Sequence, residues 1–216
     1  MKVSVSELKK RSWHGENDRE EALFSEPDIV PLVPDFVSGG NEEYKGAARG
    51  TAYHRLMECL DYTAVDSESQ IHKQITALTE AKKMAYEEAQ CIRIQDIMTF
   101  LHSEIGQRMK KAFEADQLYR EQPFVLAQSM KNIEKDWNGE ETVLVQGIID
   151  AYFIEDEEIV LVDYKTDKVR KGEEQHLIDL YHTQLEDYAQ ALERMLQKKV
   201  KETCIYSFTL GKMIPV

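Results

Sequence analysis

The chain has 216 residues, enough for one domain with its own core plus an appendage, and a formal charge of -13 from 27 basic and 40 acidic side chains. No apolar run reaches the roughly 20 residues of a membrane span, the opening Met1-Lys2-Val3-Ser4 lacks the hydrophobic stretch of a secretory signal, and Cys59, Cys91 and Cys204 are too few and too scattered for a disulfide framework or a four-cysteine metal or iron-sulfur site. A cytoplasmic protein is expected, and its acidity argues against tight nucleic-acid binding by this chain alone, because phosphate contacts supply most non-specific affinity.

In chain order, Ser4 and Glu7 fit a capping box for a short helix through Lys10 and Arg11. Residues 12 to 46 are polar and irregular, punctuated by Pro27, Pro31, Pro34, Gly39 and Gly40. That pattern is a linker or an extended arm, so residues 1–46 are set apart from a domain of residues 47–216. From Ala47, Tyr53, Leu56, Met57 and Leu60 recur at helical spacing, while His54 and Glu58 share another face one turn apart. Ser67 to about Tyr119 reads as largely helical, with Ile71, Ile75, Leu78, Ile92, Ile97, Leu101, Ile105 and Met109 as buried positions. Strands are expected at Phe124–Ser129, Thr142–Ile154 and Glu158–Lys165, then a helix from about Glu174 to Lys198 and a last strand from Lys201 to Leu210. Helix, three strands, helix, strand is an α/β order with a mixed sheet.

The chemistry concentrates at one hairpin. A two-residue turn at Asp156-Glu157 sets a register that puts Asp150 opposite Asp163. Along Val162-Asp163-Tyr164-Lys165-Thr166 alternate side chains share a face, so Asp163 and Lys165 project together and Tyr164 points away. Facing carboxylates repel, and a divalent metal is the simplest partner for them. A hard ion such as Mg2+ takes carboxylate and carbonyl oxygens and completes its shell on phosphate. With an ammonium beside it to hold charge that builds on phosphorus, the arrangement points to metal-assisted phosphodiester hydrolysis. A solvated strand end would carry the same residues without any chemistry, so the rest of the chain decides. Lys165, Lys168, Arg170 and Lys171 supply local basic charge, and Arg108, Lys110 and Lys111 form a second basic group.

Five segments in order carry a resemblance: Ser4-Val5-Ser6-Glu7-Leu8-Lys9, Gly50-Thr51-Ala52-Tyr53-His54, Gln146-Gly147-Ile148-Ile149-Asp150, Val162 to Thr166, and Gln184 to Tyr188 with Ala191-Leu192. Together they resemble the RecB-like branch of the PD-(D/E)XK nuclease superfamily, and within it the C-terminal nuclease domains of AddAB-type helicase-nucleases. The resemblance implies a restriction-endonuclease-like core, a central mixed sheet flanked by helices, with a helical insertion. It implies that Asp150 and Asp163 bind the metal, with the main-chain carbonyl of Tyr164 and the imidazole of His54 as further ligands. Lys165 matches the catalytic lysine, and Gln184 and Tyr188 match the motif that positions the DNA backbone or steadies the ligands. Glu58 and Glu121 are nearby acids outside this first rank.

The same resemblance implies Mg2+, with Mn2+ as a substitute, no iron-sulfur cluster, and single DNA strands, those ending 3′, fed by a helicase body of the same polypeptide. A place in double-strand-break repair by recombination comes with it, as does a partner of the AddB type. ATP is expected to act only in that helicase portion. No Gly-x-x-x-x-Gly-Lys-[Ser/Thr] phosphate loop occurs here, since Gly211-Lys212 lacks the preceding glycine and is followed by Met213. The chain is therefore expected to be an excised terminal domain. Two other readings stay open: a silent nuclease-like module that guides DNA or serves in docking, against which the retained Asp150, Asp163 and Lys165 speak, and a small stand-alone nuclease of the same superfamily.

Overall fold

The computed structural model describes residues 2–4, 42–129 and 141–216, with side chains at 46–129 and 141–216. Among them follow β1 (Lys2–Ser4), α1 (Glu42–Cys59), α2 (Glu68–Glu80), α3 (Tyr86–Ala89), α4 (Ile94–His102), α5 (Glu104–Glu114), β2 (Leu118–Ser129), β3 (Thr142–Glu155), β4 (Glu158–Lys165), α6 (Glu174–Leu196), β5 (Val200–Ser207) and β6 (Lys212–Pro215). The strands form a mixed sheet in the order β1-β3-β4-β5-β6, with β2 also pairing with β3. The chain divides into two units, Met1–Tyr44 with Phe124–Gly147, and Lys45–Pro123 with Ile148–Val216.

In the first unit β1 runs parallel to the start of β3, with Val3 beside Val145. Ser4, expected to cap a helix, therefore ends a strand. The remainder of that helix, and the arm up to residue 41, lie outside the described residues.

The second unit shows why β4 is central. Asp156 and Glu157 both take left-handed backbone angles, φ 54° and 64°, the geometry that matches a two-residue turn to the strand twist. The resulting ladder pairs Glu155 with Glu158 and runs back to Ala151 beside Val162, the expected register. On its other edge β4 is parallel to β5, with Asp163 beside Ile205 and Lys165 beside Ser207. Ile159 through Tyr164 are all buried, as in a strand covered on both faces. Val160, Val162 and Tyr164 join Tyr53, Leu56, Met57, Ile97, Phe100 and Met109 in the core under the helices. Alternation leaves Ile159, Leu161 and Asp163 for the opposite face, where α6 packs and buries Leu177, Leu185, Tyr188 and Leu192.

Three element boundaries differ from the sequence expectation. α1 starts at Glu42 and β2 at Leu118, and the last expected strand is two. β5 stops at Ser207, whose carbonyl accepts from Gly211 N at 2.8 Å while Gly211 takes φ 64°, and the chain returns antiparallel as β6. The helical stretch is four helices, with Ser103 capping α5 by accepting from Gly106 N at 3.2 Å. Among the described residues no helix is long and apolar enough to cross a membrane.

Candidate functional site

Helix α1 is fixed from both sides. Its buried stripe of Tyr53, Leu56, Met57 and Leu60 faces the core and leaves His54 at the edge. Arg120 donates to the carbonyls of Met57 and Leu60, 3.3 and 2.7 Å, with its guanidinium over the ring of Phe113. That satisfies carbonyls orphaned at the helix C-terminus. At the other end Arg49 donates to the Thr166 carbonyl and to Thr209 Oγ1, both at 3.3 Å, and pairs with Asp96. Asp96 also accepts from Tyr53 Oη at 2.6 Å. The helix that carries His54 is thus tied to the residue that follows Lys165.

The centre lies where the β3–β4 ladder ends. Beyond Ala151 and Val162 the next contact is made by a side chain: Tyr164 N donates to Asp150 Oδ2 at 2.8 Å. His54 Nδ1 lies 3.2 Å from Asp150 Oδ1, and its Nε2 lies 3.1 Å from the Tyr164 carbonyl oxygen. Glu121 joins them, its carboxylate within 4.8 Å of ligand atoms of both His54 and Asp150. It gets there because Glu121 has φ 48° inside β2, two residues before Pro123. A left-handed residue breaks the strand's alternation and re-aims its side chain. A cavity of about 400 Å³ opens over this group, walled by Gly50, Thr51, Arg55 and Glu58 of α1.

Asp163 and Lys165 pair with each other. Asp163 is 1 % exposed, and neither carboxylate oxygen has a hydrogen-bond partner among the described residues apart from the ion pair with the Lys165 ammonium. Lys165 Nζ sits 4.2 Å from the ring centroid of Tyr181 on α6, and Tyr181 Oη donates to Asp167 at 2.9 Å. One turn further along α6, Gln184 Nε2 donates to Tyr188 Oη at 2.8 Å. So the expected residues fall into three adjoining sets: His54, Asp150 and the Tyr164 carbonyl; Asp163 with Lys165; and Gln184 with Tyr188. The Tyr164 ring points away into the core, as its strand position requires. Glu58 turns to Arg55 instead of the centre.

Electrostatics separate the two acids. Burial pushes Asp163 up, Lys165 pulls it down and Asp150 pushes it up again, leaving it at about 6. Asp150 bears the same burial penalty, yet the hydrogen bond and charge of His54, with Lys165 and the Tyr164 amide, hold it below the usual carboxylate range. His54 is the mirror image: burial lowers it, and Asp150 outweighs that and raises it. Lys165, disfavoured by burial but held by Asp163 and Asp150, stays above its ordinary value as an ammonium. Burial and then the Asp150 charge raise Glu121. An imidazole whose two nitrogens both face oxygens, a buried carboxylate with unmet acceptors, a main-chain carbonyl and two more carboxylates make a donor set of hard oxygens with one nitrogen. That set fits a hard divalent cation.

Glu121, Tyr181 and Arg49 complete this neighbourhood without having been singled out from sequence as site residues. Tyr181 had a signal, since Tyr181, Gln184 and Tyr188 share one helical face. Glu121 had only the following proline, and Arg49 had none.

A family model described as the PD-(D/E)XK nuclease superfamily matches residues 33–213. The chain belongs to the PD-(D/E)XK nuclease superfamily. Asp163-Tyr164-Lys165 reads as the (D/E)-x-K of that name. The chain is also similar to AddA, the ATP-dependent helicase/nuclease polypeptide, of Alkaliphilus metalliredigens (strain QYMF), 39% identical over 213 residues, 98% of this chain and 17% of that protein. The protein of the same name from Clostridium perfringens (strain SM101 / Type A) is 33% identical over 227 residues, covering 99% of this chain and 18% of that protein. For Clostridium botulinum (strain Loch Maree / Type A3) the figures are 34% over 219 residues, 100% and 16%. The chain thus spans less than a fifth of the length of these relatives. It is a PD-(D/E)XK nuclease domain homologous to that portion of them, and nucleases of this superfamily are metal-dependent.

Proposed function

We propose that this domain hydrolyses DNA phosphodiester bonds with Mg2+, or Mn2+ in its place, held by Asp150, Asp163, His54 and the Tyr164 carbonyl, with Glu121 as a further acid beside them. The observation that carries the reading is the meeting of His54, Asp150 and the Tyr164 carbonyl next to the buried Asp163–Lys165 pair. A bound divalent ion supplies Lewis acidity at a phosphoryl oxygen and lowers the pKa of a water. The chain's own residues do the rest. Lys165, kept protonated by its acids, faces the negative charge that grows on the phosphoryl oxygens. His54 gives up its proton to act as a ligand, and Asp150, already held as carboxylate, keeps the imidazole oriented. Gln184 and Tyr188 offer an amide and a hydroxyl to the DNA backbone.

In the reading we favour, residues 47–216 form the nuclease domain and residues 1–46 an arm to a helicase body, where ATP is used. The strand supplied is the one ending 3′, the partner is of the AddB type, and the setting is double-strand-break repair and homologous recombination in the cytoplasm. No iron-sulfur cluster is invoked. A silent docking module is disfavoured because burying Asp163 with few partners costs stability that such a module would recover by losing the charge.

Labelled single-stranded DNA with Mg2+, with chelator, and with Asp163→Ala and Lys165→Ala tests the proposal. Cutting that needs metal and drops at least ~100-fold in both variants supports it. Equal cutting by all three chains removes it. Calorimetry divides the roles: Asp163→Ala loses Mn2+ affinity and Lys165→Ala retains it.

A further inference from the structure

Three glycines occur in the described helices, and each can be asked what a side chain would meet. At Gly106 in α5 a β-carbon would lie 2.1 Å from the Phe100 carbonyl oxygen, so the close turn between α4 and α5 requires that glycine. At Gly46 in α1 nothing among the described residues lies within 4 Å. At Gly50, also in α1, the only neighbour among the described residues is Thr166 Oγ1 at 3.5 Å, an ordinary contact. Neither Gly46 nor Gly50 has a left-handed backbone, since the positive-φ glycines described are Gly172 and Gly211. Glycine is a poor residue for a helix interior, and within the described protein neither packing nor backbone geometry explains it at position 50.

What distinguishes Gly50 from Gly46 is location. Gly50 and Thr51 line the cavity of about 400 Å³ that reaches His54, Glu121 and Asp150, and Gly46 does not. The volume falls in the range of a ligand site. We infer that the bare stretch of α1 at Gly50 is a seat for the sugar–phosphate of the nucleotide adjoining the bond that is cut, with the strand lying against the helix where a methyl group would hold it off. The inference deepens the nuclease reading above and rests on it. The chemistry of the walls suits a phosphodiester-linked sugar. Gly50 gives the sugar room, the Thr51 hydroxyl, now donating to the Ala47 carbonyl at 3.2 Å, can turn to a phosphate, and Arg55, one turn on and 45 % exposed, can exchange its Glu58 partner for the same anion. These are backbone contacts and select a strand by its sugar–phosphate, not by its bases.

Gly50→Ala and Gly46→Ala, compared with the wild-type chain, separate a ligand seat from a plain helix position. Both substitutions should raise the melting temperature by about 2–4 °C. Gly50→Ala should raise KM for labelled single-stranded DNA about tenfold, the size of effect one methyl has in a fitted pocket, while kcat and Mn2+ affinity by calorimetry stay near wild type. Gly46→Ala should keep the wild-type KM. An unchanged KM in Gly50→Ala, an equal rise in Gly46→Ala, or a lowered melting temperature in Gly50→Ala would each overturn the inference. A wild-type chain that does not cut would sink the nuclease reading instead. Anisotropy of the same labelled strand then decides the seat by itself, with weaker binding expected in Gly50→Ala only.

Discussion

Lys165 is the residue whose surroundings are most demanding, since its ammonium is 11 % exposed between an aromatic ring and a carboxylate. A lysine on a flexible stem needs such walls to hold one direction. We expect Tyr181→Leu to lower kcat about tenfold with KM and Mn2+ affinity near wild type, and Tyr181→Phe, which keeps the ring and loses only the hydroxyl bond to Asp167, to recover most of it. Steady-state kinetics on single-stranded DNA checks the split, and equal losses in both variants would show that the ring does not position the ammonium. At this scale the sequence was informative where side chains obey strand or helix periodicity. Asp163, Lys165 and the inward Tyr164 follow from alternation, and His54 from its place beside the apolar stripe of α1. Glu121 was harder to read because a left-handed residue inside a strand reverses the face that alternation assigns.

Among the elements, the β3–β4 hairpin was legible because two residues, Asp156 and Glu157, fix its register. β1 was not, because three residues carry no periodicity and their pairing with Leu144–Gln146 is non-local. β6 was hidden by its brevity, and the turn before it rests on the left-handed Gly211. The hairpin also sets two glutamates, 155 and 158, opposite each other, and Arg108 relieves the repulsion by binding Glu155 and Glu202 at 2.9 and 2.7 Å while Lys201 adds to Glu155. The Arg108 hydrogen bond, working against burial and helped by Lys201, brings Glu155 down to about 2. A lowered carboxylate contributes stability above its ordinary pKa and loses it as pH falls toward the lowered one. The side chain is one-third exposed, so the contribution is on the order of 1 kcal/mol. Glu155→Gln should therefore melt below wild type at pH 7 and match it near pH 2. A gap that persists at that acid end would mean that the pair acts through packing alone.

For the whole molecule the charge of -13 and the coverage of less than a fifth of its relatives belong together. An acidic domain meets phosphate reluctantly unless a partner or an attached domain delivers it, so the isolated chain should hold single-stranded DNA weakly, with affinity falling steeply between about 50 and 200 mM salt. Fluorescence anisotropy across that range checks it, and tight, salt-insensitive binding would contradict it. Because a metal that binds only the folded state raises its stability, Mn2+ should raise the melting temperature of wild type and leave Asp150→Asn unmoved. Anomalous diffraction from a crystal soaked in Mn2+ tests the central claim most directly. The account predicts a peak within bonding distance of Asp150, the Tyr164 carbonyl and His54, with Asp163 turned from Lys165 toward it. A peak on other residues, or none at a Mn2+ concentration that supports cutting, would contradict it.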